Sequence, residues 1–207
     1  MYETEEQQVE ALKKWWKENG KSIVGGVVIG LAAVFGWQQW NVYQDRVGAQ
    51  ASNAFDQLTL SVEQGDDDAA AKQAEILHQE FGSTPYDAFT YLLEARLAYE
   101  RKDAAAARTA LENAIANAPD ESLETIAVLR LARLELDAGN ADGAAAILDR
   151  HRAPDAFAGE YAAVRGDIAR AKGDLEAARA FYQEAIEREA GNTDLVQLKL
   201  ENLPPAS

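Results

Sequence analysis

Gly173-Asp174-Leu175-Glu176-Ala177-Ala178-Arg179-Ala180-Phe181-Tyr182-Gln183-Glu184-Ala185 is the stretch whose reading decides the fold. It opens on a short polar turn, then places Ala178, Tyr182 and Ala185 at steps of four, four and three. That is the helical period, with a large side chain set between two small ones. The same offsets recur upstream. After Lys102-Asp103 they give Ala107, Leu111 and Ala114, and Pro119 ends the unit. After Gly139-Asn140 they give Ala144 and Leu148, then His151 where a small residue is expected. After Gly65-Asp66 they give Ala70, Ala74 and Leu77, the most degenerate case. The turns lie 37, 37 and 34 residues apart, and Ala95, Ala132 and Gly166 each stand seven residues before one.

A period of this size predicts stacked helix pairs. No stretch alternates as a strand does. The pattern resembles the tetratricopeptide repeat, in which small residues let two antiparallel helices approach and the larger one fills the gap between repeats. The bland alternative is an alanine-rich helical bundle with chance spacing. Asn192 to Leu203 carries Leu195, Val196, Leu198, Leu200 and Leu203. It reads as a last helix covering the open end of the stack, which a solenoid needs for solubility.

Toward the N-terminus the pattern changes. Ile23 to Trp37 is uncharged, and with Ser22 and Gln38-Gln39-Trp40 the stretch is 19 residues long. About 20 residues cross a bilayer. Trp16 and Trp37 are 21 residues apart, about 31 Å along a helix. Trp15 and Trp16 then mark one interface, and Trp37, Trp40 and Tyr43 the other. Lys13, Lys14, Lys17 and Lys21 precede the span, and only Arg46 follows closely. Basic residues stay cytoplasmic, so the C-terminal domain is expected outside. Glu3, Glu5, Glu6 and Glu10 offset the lysines in net charge, but the rule counts Lys and Arg. The competing reading is a signal peptide cleaved at Ala49-Gln50-Ala51, but its leading region would be long and partly acidic. The expected organisation is a cytoplasmic arm at 1–21, a transmembrane helix at 22–43 and a repeat domain at 44–207. In class, the chain is all-α: one N-terminal transmembrane helix followed by a tetratricopeptide-like solenoid.

The chain has 207 residues and a net charge of −15. Residues 47–207 carry 15 basic and 29 acidic groups, a net −14. Such a surface repels phosphate backbones, which argues against nucleic acid, and repels anionic lipid. With no cysteine, disulfides, thiolate catalysis and cysteine-based zinc sites drop out together. His78 and His151 lie 73 residues apart in no metal-binding spacing, and read as solvated or turn-lining. No nucleophile elbow or phosphate loop occurs. Asp66-Asp67-Asp68 lacks the spacing of a calcium loop and reads as a helix cap. The expectation is a protein without enzymatic activity, cofactor or metal.

Binding features remain. In the tetratricopeptide fold that these repeats resemble, the first helix of each pair lines the concave face, and the resemblance implies that Phe55, Phe89, Leu92, Tyr99, Ile126, Leu129 and Leu136 fall near it. Arg96 and Arg133 occupy the same place in successive repeats, 37 residues apart. An apolar floor with guanidinium groups suits an extended polypeptide. The same residues also fit plain inter-helix core with surface ion pairs. In the span, Gly26-x-x-x-Gly30 is followed by Ala32-x-x-x-Gly36, small residues for a membrane partner to pack against. Residues 6–18 form an amphipathic helix with Val9, Leu12 and Trp16 on one stripe, and Asn19-Gly20 is expected to break it from the span.

The block Gln8-Val9-Glu10-Ala11-Leu12-Lys13-Lys14-Trp15-Trp16-Lys17-Glu18-Asn19-Gly20-Lys21 carries a closer resemblance. So do Gly36-Trp37-Gln38-Gln39-Trp40, Leu129-Arg130-Leu131-Ala132-Arg133 and Leu198-Lys199-Leu200-Glu201-Asn202-Leu203. Together they resemble the YfgM family, ancillary subunits of the bacterial SecYEG translocon. Pro204 to Ser207 extend past the match. The resemblance implies a single-pass inner-membrane protein with a periplasmic repeat domain. Its implied partners are SecYEG, a PpiD-like membrane-anchored periplasmic chaperone and exported client polypeptides, the clients being passed to periplasmic chaperones. Two other roles stay open: a regulator acting through the cytoplasmic arm on a stress-response signalling protein, and an envelope-assembly scaffold.

Overall fold

The four polar turns share one construction. In the computed structural model, which describes residues 5–204, Gly65, Lys102, Gly139 and Gly173 have φ of 71°, 61°, 78° and 79°. A left-handed residue closes a helix, and glycine adopts that conformation without Cβ strain. The next N–H reaches back to a carbonyl five residues upstream: Asp66 to Ser61, Asp103 to Ala98, Asn140 to Glu135 and Asp174 to Ala169. That residue then starts the following helix. Its side-chain oxygen accepts from the backbone N–H of Ala69, Ala106, Gly143 or Ala177 respectively. One dipeptide therefore ends a helix and caps the next.

Lys102 is the one member of this set that carries a Cβ into the left-handed region. Lys102→Gly is expected to raise stability by up to about 1 kcal/mol. The conformation costs an L-residue about 1–2 kcal/mol, and glycine's greater chain entropy returns part of the gain. Urea midpoints of the two proteins check this, and a lower midpoint for the variant would contradict it.

Nine α-helices follow in order among the described residues: α1 Glu5–Glu63, α2 Asp67–Glu80, α3 Pro85–Glu100, α4 Ala104–Ala116, α5 Glu121–Asp137, α6 Ala141–Arg150, α7 Ala158–Ala171, α8 Leu175–Glu187 and α9 Thr193–Glu201. A 3-10 turn, Asp155–Phe157, precedes α7, and no strand occurs among these residues. The chain divides into two compact units after Gln50. The first four residues of the expected arm and residues 205–207 of the tail lie outside the described residues.

In the second unit the repeat register appears directly in burial. Ala107, Ala144 and Ala178 are covered to within 1%. Their larger companions Leu111, Leu148 and Tyr182 are buried with them, as are Ala114 and Ala185. The small residues seven before each turn are buried too, and Gly166 shows why they are small. A Cβ there would sit 2.5 Å from the Tyr182 ring. Ala54, Leu58, Ala70, Ala74 and Leu77 form a core where the end of α1 meets α2. A larger core runs from Leu92 on α3 to Ile168 on α7. Glu135 is buried, and its carboxylate pairs with Arg108 of α4 and accepts from Asn140 Nδ2 at 2.6 Å. This satisfies the charge and ties α4 to the next turn.

Three features differ from the sequence reading. Asn19-Gly20 does not break the first helix, since α1 runs through it. The Trp16 indole lies over Gly20, 3.1 Å from where a Cβ would stand, and Asn19 Nδ2 donates to the Trp15 carbonyl. One glycine costs a helix only about 1 kcal/mol, too little to interrupt it. A further left-handed residue stands at Glu189, with φ of 53° and Ala190 N–H donating to the Ala185 carbonyl, but here the cap of the next helix is Asn192, three residues on. It sets off α9, which covers the stack with part of its apolar face. Val196 and Leu203 are buried with Tyr182, while Leu195 and Leu198 face outward. Lys199 and Arg179 hold the segment, to Asp167 at 2.7 Å and to the Pro204 carbonyl at 2.7 Å.

Candidate functional site

The first helices of successive pairs, α3 and α5, place polar and apolar side chains in one cleft. It is a cavity of about 350 Å³. Leu92, Ala95, Leu111 and Leu134 are among its apolar lining, and Arg96, Tyr99, Arg130, Arg133 and Asp137 its polar lining. Of the nine groove residues expected from sequence, the cleft gathers Leu92, Arg96, Tyr99 and Arg133. Leu129 is nearly fully covered in the central core, and Phe89, Ile126 and Leu136 pack half-buried against it. Phe55 belongs to the core at the end of α1, where its ring lies 5.7 Å from Tyr86 and 6.1 Å from Phe89. Arg96 is exposed and pairs with Glu100 one turn on, at 2.8 Å. Tyr99 donates to Asp137 at 2.9 Å, joining α3 to α5 across the cleft.

Arg130 was not among the expected site residues. It sits one turn before Arg133 on α5, and residues three apart share a helix face. The repeat register pointed to Arg133, whose counterpart 37 residues earlier is Arg96, and passed over Arg130, whose counterpart is Leu93.

His78 departs from the solvated reading. It is half-buried between two carboxylates of α3, with Nδ1 2.5 Å from Asp87 Oδ1 and Nε2 3.3 Å from Glu94 Oε2. Its ring stacks on Tyr91 with centroids 4.0 Å apart. Asp87 is itself buried. Burial alone would lower the imidazole pKa, but hydrogen bonds and charge from Glu94 and Asp87 outweigh it and raise the pKa. A folded pKa above the unfolded value, about 6.5, gives stabilisation that is complete below that value and lost as pH rises through the folded pKa. The stability gap between wild type and His78→Gln should therefore narrow as pH rises from about 6 to about 9. Paired denaturation curves test this, and a gap that widens with pH would refute it. His151, at the end of α6, lies 3.0 Å from Glu124.

The apolar stretch of α1 is long and apolar enough to cross a membrane. Ile29, Val34, Phe35 and Trp37 are each more than 60% exposed. A Cβ added at Gly26, Gly30 or Gly36 would meet nothing within 4 Å. Ala32 is exposed as well, so the Gly26–Gly30 pair and the Ala32–Gly36 pair, about 120° apart around the helix, each have room for a neighbour.

The family described as a tetratricopeptide repeat-like domain matches residues 13–205. The ancillary SecYEG translocon subunit of Haemophilus influenzae is 36% identical over 202 residues, covering 96% of this chain and 97% of that protein. The chain belongs to the YfgM family. Two further YfgM relatives carry the same description. That of Aggregatibacter actinomycetemcomitans is 34% identical, over 96% of this chain and 97% of its own. That of Escherichia coli is 31% identical, over 98% of both. No solved structure matches the chain. The YfgM match spans the small face of α1 and the cleft between α3 and α5 alike.

Proposed function

We propose that this chain is a membrane-anchored helical-repeat adaptor of the SecYEG translocon. It acts through binding, without catalysis. The first unit anchors it in the inner membrane by one pass, with the N-terminus cytoplasmic and the repeat domain periplasmic. The repeat domain holds newly exported polypeptides, through the cleft between α3 and α5, and passes them to a PpiD-like periplasmic chaperone. The lysine asymmetry around the span supports the orientation. The relatives' description as translocon subunits, over nearly their whole length, supports the first partner.

The observation that carries this reading is the exposed apolar stretch of α1 with an open small face at Gly26 and Gly30. Small residues four apart let another helix approach closely in lipid, where packing drives association. Gly26→Leu with Gly30→Leu should remove most of the SecYEG that co-purifies with the full chain in mild detergent. The melt of the repeat domain should not change, since neither glycine belongs to its cores. Undiminished co-purification would show that the translocon is contacted elsewhere.

A further inference from the structure

Arg130 and Arg133 are two neighbouring cations in a domain rich in carboxylates, yet among the described residues neither has an acidic partner within 4.0 Å. The surrounding acids are engaged elsewhere. Asp137 accepts from Tyr99 at 2.9 Å. Glu160 accepts the Gly191 N–H at 2.8 Å. Asp167 accepts from the Tyr182 hydroxyl at 2.8 Å and is clamped by Lys199 at 2.7 Å. Arg96, the third guanidinium of the cleft, is turned along its own helix to Glu100.

Arg133 is exposed to solvent while lining the cleft, with neighbouring atoms packed along its side chain. Burial pulls its guanidinium below the ordinary range; Asp167 and Glu160 oppose this, and the Arg130 charge adds to it. Two like charges held one turn apart repel, and desolvating either is unfavourable. A fold carrying 29 acidic groups beyond residue 46 could pair them and does not. The cleft lining carries three guanidiniums and one carboxylate, opposite in sign to the domain's net −14.

We propose that the cleft takes its extended polypeptide through aspartate or glutamate side chains, with Arg130 and Arg133 as the carboxylate receptors. This rests on the reading of the cleft as the polypeptide site and names what it selects. A guanidinium offers a planar fork that matches a carboxylate. Leu92, Leu111 and Leu134 form the apolar floor against which flanking side chains of the segment lie. At physiological salt the domain's general negative field is screened beyond about 8 Å. An acidic segment then meets chiefly the two cations it touches.

The test uses the full chain in detergent and two fluorescent peptides, acetylated and amidated so that no terminal charge competes. One alternates leucine with aspartate, and the other replaces every aspartate with asparagine. Fluorescence anisotropy should show the aspartate peptide binding about tenfold or more tighter, as expected for charge-assisted contacts. Arg130→Gln with Arg133→Gln should abolish that preference and leave the melt unchanged, since neither side chain is paired within the fold. Equal binding of both peptides would overturn the carboxylate inference and leave an apolar polypeptide cleft standing. A preference that survives in the double variant would place the receptor elsewhere and overturn it also. Binding of neither peptide would overturn both readings of the cleft.

Discussion

Replacing Tyr182 with alanine is expected to lower the stability of the repeat domain by about 3–5 kcal/mol, the range for truncating a large buried aromatic. Tyr182 is fully buried on α8. Its ring rests against Gly166 of α7, and it packs in one cluster with Ala162, Ala178, Val196 and Leu203. Its hydroxyl donates to Asp167 at 2.8 Å, and burial followed by that bond raises its pKa well above the ordinary tyrosine value. The variant therefore opens a cavity among α7, α8 and α9. It also leaves Asp167 with Lys199 alone.

The Gly166 contact makes the argument sharper. Alanine is favoured over glycine inside a helix by about 1 kcal/mol, so Gly166→Ala would stabilise a helix with free space. Here the added Cβ would meet the Tyr182 ring at 2.5 Å, and the ring cannot swing away without losing Asp167. Overpacking of this kind costs about 1–3 kcal/mol, which exceeds the propensity gain. Gly166→Ala should thus destabilise wild type and become neutral or stabilising beside Tyr182→Ala. A double-mutant cycle by chemical denaturation reads the coupling, and additive effects would rule out the contact as the cause.

Gly159→Leu should also cost about 3 kcal/mol, the upper part of the overpacking range. A Cβ at Gly159 would stand 2.7 Å from the Ala190 nitrogen, 2.8 Å from its Cα and 3.0 Å from the Arg188 carbonyl. Those are backbone atoms of the turn between α8 and α9, and Ala190 N–H is already bonded to Ala185. A side-chain tip could rotate aside; this backbone would have to move as a unit and take α9 with it. The melt of the variant should fall well below that of wild type. A melt near wild type would mean that the α8–α9 turn does not pack closely on Gly159 of α7.

Helices and turns were legible because their determinants are local. The steps of four and three around Ala107, Ala144 and Ala178 encode one helix face, and that face is the buried one. The turn pairs encode a left-handed residue followed by an N-cap, both set within six residues of chain. The turn at Glu189 was not legible, since it falls outside the repeat spacing and no capping residue directly follows the left-handed one. Asn19-Gly20 looked like a break because composition does not show Trp16 folding over Gly20.

The sequence by itself determined that the chain is helical, that it repeats with a period near 37 and that one stretch near the N-terminus is apolar enough to span a bilayer. Tertiary structure alone decided what each charged or apolar side chain does. His78 meets Glu94 16 residues away, Lys199 meets Asp167 32 residues away and Tyr99 meets Asp137 38 residues away. Leu195 and Leu198 fall outside the cover that Val196 and Leu203 provide. Whether a carboxylate is engaged depends on which helices cross beside it, and no periodicity within one helix records that. The two cations left unpaired on α5 therefore emerged only once α3, α5, α7 and α9 were in place.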